Sequence, residues 1–138
     1  MGSRPLGMIL LCGFFGLVGS SLLTSGLSSV GTTPPPDMPE SVRLFMMVYP
    51  LFAISFGVLG LVVALLLWFA HPFGRLTGLA WLGLWIAEEI VVGLWTMDGP
   101  EVVQQAGGGL VGNLPEIALG TIMIFYLWPI GGGYFSNE

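Results

Sequence analysis

The chain has 138 residues, of which 54% are hydrophobic and 8% charged, and its mean hydropathy is +0.90. Lysine is absent, the three cations are Arg4, Arg43 and Arg75, and eight acids leave a formal net charge of −5. That composition excludes an ordinary water-soluble domain, a nucleic-acid binder and a protein that docks on anionic headgroups through a basic surface; it indicates an integral membrane protein.

Apolar runs of about 20 residues can cross a bilayer core roughly 30 Å thick, and the chain has room for four. The expected fold is all-α, one membrane domain over residues 1–138 with four transmembrane helices in an up-down bundle. Span one covers about 6–30. Its first half is Leu, Phe and Gly, and its second half holds Ser20, Ser21, Thr24, Ser25, Ser28 and Ser29. Gly13, Gly16 and Gly19 offer a thin surface for close helix packing. Arg4 ahead of an apolar run and small residues after it follow the layout of a signal peptide; the segment is expected to stay as a membrane helix. Arg4-Pro5-Leu6-Gly7 before this Gly-rich helix resembles the start of many small four-helix membrane proteins of archaea and bacteria, a likeness that carries no functional motif. Cys12 is the single cysteine, so neither an internal disulfide nor a Cys-based metal site can form.

Residues 31–41 form a Pro-rich outer loop in which Pro34, Pro35, Pro36 and Pro39 favour a stiff, extended chain. Span two covers about 42–69, with Pro50 as a candidate kink and Gly57 and Gly60 as packing positions. It ends at Trp68-Phe69-Ala70-His71-Pro72, an aromatic membrane boundary closed by proline. His71 is the only histidine, which removes bis-histidine haem ligation and most zinc or di-iron sites. A short turn over 71–74 then leads antiparallel into span three, about 76–96, where Gly93 is a further packing position. A second outer loop, 97–109, precedes span four, about 110–129. Arg4 and Arg75 fall on one side of four crossings and Asp37, Glu40, Asp98 and Glu101 on the other, so the positive-inside rule puts both termini in the cytoplasm.

Span three carries Glu88-Glu89 in an otherwise apolar helix. A carboxylate at the bilayer centre costs about 2.5 to 3.5 kcal/mol, so two of them need a reason. Glu89 lies seven residues before Thr96, and Glu116 six after Leu110. At about 1.5 Å per residue both sit roughly 9 to 11 Å below the outer boundary. Asn113 stands one turn nearer the outside, Thr24 and Ser25 reach a similar depth in span one, and Tyr49 is a candidate from span two. Pro115 is expected to free a backbone carbonyl nearby. Glu88 and Glu89 point about 100° apart, with Trp81, Trp85, Glu88 and Val92 on one face and Trp85, Glu89 and Gly93 on the next. The ordinary role for such a layer is a neutral hydrogen-bonded clamp. The sharper ones are a proton or cation site at Glu88, Glu89, Glu116, Asn113, Tyr49, Thr24 and Ser25, or an ion pair with an arginine of a second chain.

Trp68, Trp81, Trp95 and Trp128 fall near expected boundaries, as an aromatic belt would, and Trp85 is deeper. A flat pigment, quinone or sterol against Trp81 and Trp85 is the alternative; no motif specifies a cofactor. No phosphate loop, GxSxG, HExxH or paired-cysteine pattern is present, so no enzyme is expected. The functional expectation is a structural or accessory subunit of a larger membrane assembly, its partners being lipid and either other membrane subunits or copies of itself. A small oligomeric transporter or channel for protons or cations is the alternative. The acidic, lysine-free composition suits a prokaryote, a halophile in particular, and a viral membrane shell is also compatible.

Overall fold

The computed structural model describes the backbone of residues 6–97 and 109–135 and the side chains of 6–95 and 111–128. All regular structure among these residues is helical. The helices are α1 (Leu6–Ser29), α2 (Glu40–Trp68), α3 (Pro72–Met97), the four-residue α4 (Gly109–Gly112) and α5 (Leu114–Phe135). Three stretches, Leu6–Ser29, Glu40–Trp68 and Pro72–Trp95, are long and apolar enough to cross a membrane, which points to a membrane location. The chain divides into two compact units, Met1–Phe69 and Ala70–Glu138.

The first unit is an α1–α2 pair. Met8, Leu11, Phe15, Gly19 and Gly26 form the buried stripe of α1 at three-, four- and seven-residue steps, the periodicity of one helix face. It meets Pro50, Ala53, Phe56, Gly57, Gly60, Val63 and Leu67 of α2. Gly19 lies against Gly57 and Gly60, while Gly26, further along α1, lies against Pro50 and Ile54, earlier in α2; the two helices are therefore antiparallel. Helix α1 stops at Ser29, and Gly31 follows with φ +82°, a left-handed conformation that costs a Cβ-bearing residue strain. Gly31→Ala should lower stability by about 1 kcal/mol, seen as an earlier unfolding transition in a denaturant titration. The prolines then leave 32–35 irregular, with a turn closed by Met38 N–H donating to the Pro35 carbonyl at 3.3 Å. Helix α2 begins at Glu40, whose carboxylate suits the positive end of the helix dipole.

In the second unit α3 packs on α4 and α5. Helix α3 starts four residues before the expected boundary of 76. His71 Nδ1 accepts the Phe73 N–H at 3.3 Å, and Pro72 occupies the first helical position, where its fixed φ fits and its missing amide is not needed. Span four is also corrected. A helix running from 110 would need the residue 115 amide to bond the Val111 carbonyl, and Pro115 has no amide to give. The helix breaks at Asn113 and restarts at Leu114, with Ile117 N–H donating to the Asn113 carbonyl at 3.0 Å. Its apolar stretch with described side chains, Leu114–Trp128, is shorter than the three spanning helices. Most of the 97–109 loop, including Asp98 and Glu101, lies outside the described residues, as does Arg4.

Candidate functional site

The polar groups of the second unit gather where α3 meets the start of α5. Glu89 and Trp85 are one helical turn apart on α3, and the indole N–H of Trp85 donates to the Glu89 carboxylate. The Glu116 carboxylate, in the first turn of α5, lies within electrostatic range of Glu89. Asn113 Nδ2 donates to the Glu89 backbone carbonyl at 3.0 Å. That carbonyl has two lone pairs, so it can accept the amide without giving up its place in α3. Asn113 thus holds the start of α5 to α3 and caps α5 with its own carbonyl.

Glu88 and Glu89 are both half-buried, whereas Glu116 is exposed. Glu89 is the one coupled to Glu116 of α5, and Glu88 stands about 100° further round α3. Among the described residues no group of three or more His, Cys, Asp or Glu is placed to hold a metal ion, so the three carboxylates do not converge as a ligand set. The first-turn position of Glu116 gives it a second role, since an acid there complements the α5 dipole. Pro115 occupies the same turn, where a missing N–H leaves few intrahelical bonds unmade.

Tyr49, Thr24 and Ser25 belong to the first unit. Ser25 Oγ and Tyr49 Oη lie 3.3 Å apart and join α1 to α2. Thr24 is exposed, and its hydroxyl donates to the Ser20 carbonyl at 2.8 Å, within its own helix. Ser28 and Ser29 both donate to the Ser25 carbonyl, at 2.9 and 2.8 Å. Thr24, Ser28 and Ser29 therefore satisfy their hydroxyls through back-bonding of the kind small hydroxyl residues favour in helices.

The glycines divide by position. Gly19, Gly57 and Gly60 lie in the α1–α2 contact, and Gly93 is buried in α3. Gly13 and Gly16 have open space where a Cβ would stand. Gly13 instead borders an open apolar cleft of about 380 Å³ with Ile9, Cys12, Ala64, Leu65 and Trp68. Two further glycines are also tightly placed: Gly26, at the far end of the thin surface expected on α1, against Pro50 and Ile54, and Gly120 of α5, which was not among the expected packing positions, against Ile86 and Trp85 of α3. The same small-residue signal was present at both, but only the partner helix's rotation separates them from Gly13 and Gly16.

Trp81 and Trp85 are 3% and 7% exposed, their ring centroids 6.0 Å apart and their planes tilted by 31°. Both rings pack within the protein, and a flat pigment, quinone or sterol would have to displace protein to lie on either one. Trp68 and Trp128 are exposed, as belt residues are. No protein family, curated protein or solved structure matches this chain.

Proposed function

We propose that the protein is a structural or accessory subunit of a larger membrane assembly, in which Glu88 is the docking carboxyl. In this reading α5 makes the fourth crossing of an up-down bundle whose termini are both cytoplasmic. The observation that carries it is the division of labour between adjacent glutamates. Glu89 is engaged by Trp85 and lies within electrostatic range of Glu116 in its own unit, while Glu88 stands about 100° further round α3. A half-buried carboxyl in an apolar helix is expensive unless something bonds it, and a donor from a neighbouring subunit would meet that need. Interhelical hydrogen bonds in bilayers average about 0.6 kcal/mol and reach about 1.7. Glu88→Gln, which keeps the shape and loses the charge, should weaken association with the partner by roughly three- to twentyfold.

The test is native mass spectrometry of the protein gently extracted from its source membrane. Other polypeptides at fixed stoichiometry, partly dissociated by Glu88→Gln, support the reading; a chain that migrates alone or only with copies of itself removes it. One observation favours a second reading, a small proton or cation transporter: the electrostatically coupled Glu89 and Glu116 carboxylates would share a proton or a monovalent cation. Flux into proteoliposomes that is lost in Glu89→Gln and Glu116→Gln would establish it. No flux above empty vesicles would end it.

A further inference from the structure

A second open cleft, of about 350 Å³, lies where α3 begins and α5 passes Trp128, lined by Pro72, Arg75, Leu76, Leu79 and Trp128. Four of these five residues are apolar. Arg75 stands among them half-buried, one of only three cations in the chain. Its guanidinium donates to the Trp128 backbone carbonyl, a bond that joins α3 to α5 and fixes where the charge sits. It has no carboxylate partner among the described residues. A guanidinium has five N–H donors in a planar fork suited to two oxygens of one phosphate, so most of its capacity remains.

We propose that this cleft binds one anionic phospholipid, with Arg75 on the phosphodiester and the first acyl carbons along Leu76, Leu79 and Trp128. Charge complementarity selects the headgroup, and the apolar wall selects a lipid over a free ion. A dissolved phosphate would lose its water against Leu76 and Leu79 and gain a single cation in return. A phospholipid brings a chain that belongs against those side chains. Basic pockets between membrane helices hold anionic headgroups in the same way. The net charge of −5 does not oppose this, because it disfavours a diffuse attraction to the membrane surface, whereas one fixed guanidinium in a cleft acts on one lipid. Trp128, largely exposed, supplies the amphipathic ring that settles at headgroup level. The proposal is independent of the accessory-subunit reading.

The test uses the full chain, stripped of lipid in a neutral detergent and titrated with dioleoylphosphatidylglycerol or dioleoylphosphatidylcholine under native mass spectrometry. The two lipids share acyl chains and phosphate and differ in net charge. The first phosphatidylglycerol should bind about fivefold more tightly than phosphatidylcholine, the effect of one well-placed basic residue. Arg75→Gln should abolish that preference, and Arg43→Gln, on α2 outside the cleft, should keep it. Circular dichroism checks that Arg75→Gln keeps its helices, and the headgroup comparison in the unaltered chain needs no variant at all. Equal binding of the two lipids in the unaltered chain would overturn the proposal, leaving only a non-selective apolar surface. So would an Arg75→Gln variant that is folded and retains the preference. Displacement of bound phosphatidylglycerol by millimolar inorganic phosphate would assign the site to the free ion instead.

Discussion

Gly57→Ala is expected to separate α1 from α2. A Cβ at position 57 would stand 2.6 Å from the Leu23 amide nitrogen and 2.7 Å from the Gly19 carbonyl oxygen. Both are backbone atoms in the middle of a long helix, so neither can swing aside as a side chain would; the helices themselves must move apart. Association of membrane helices rests mainly on van der Waals contact, and a gap of a few tenths of an ångström along the crossing forfeits much of it. The cost should be about 2 to 3 kcal/mol, and Gly57→Leu should abolish the pair. The positions facing open space provide the comparison. Gly13→Ala and Gly16→Ala meet nothing within 4 Å, and both replace a poor helix former by the best one, so they should be neutral or stabilising by up to about 1 kcal/mol. Equilibrium unfolding in mixed micelles distinguishes the two classes. Equal destabilisation at positions 13 and 57 would show that the crossing is not where stability resides.

Trp85→Ala should be the most damaging single change in the second unit. The indole is almost fully buried, lies against Trp81, approaches Gly120 of α5 and donates to Glu89. Removing it leaves a cavity at the α3–α5 contact and strands a half-buried carboxyl, which together should cost about 3 to 5 kcal/mol. Trp85→Phe separates the contributions. It keeps most of the ring and deletes the N–H, so the loss should fall to about 1 to 2 kcal/mol. If the N–H matters through Glu89, pairing Trp85→Phe with Glu89→Leu should cost less than the two changes summed. Strict additivity would mean that the indole acts by volume alone.

The parts of this fold that could be read from sequence were those decided by length and polarity. Helices α1 and α2 begin and end within two residues of the expected stretches because long, mostly apolar segments, here 24 and 29 residues, leave the backbone little alternative to a helix in lipid. The neighbourhood of Glu89 was partly legible as well, since counting residues from opposite ends placed Glu116 level with it and Asn113 one turn away, and both approach it. Rotation was not. Gly16 and Gly19 are chemically identical and three residues apart, yet only Gly19 meets another helix's backbone. The helix breaks fell between these cases. Pro115 announced an interruption, but an acceptable proline at the second position of α5 cannot be told from a kink inside a longer helix until the Asn113 cap is seen. The Asn113 bond to the Glu89 carbonyl had no sequence signal, because its acceptor is a main-chain atom that any residue would supply.

In both units the tight glycine contacts join helices that are near neighbours along the chain: Gly19 to Gly57, Gly26 to Pro50, Gly120 to Ile86. A ribosome therefore delivers α1 and α2, with everything needed for their crossing, before α3 has left it. Insertion can proceed pair by pair, and the first pair can bury its glycine seam while Glu88 and Glu89 are still in the exit tunnel. The costly acids then enter a bilayer that already holds folded protein. Glu89 meets Asn113 and Glu116 only when the start of α5 arrives, so the polar contact between α3 and α5 forms later than the α1–α2 crossing.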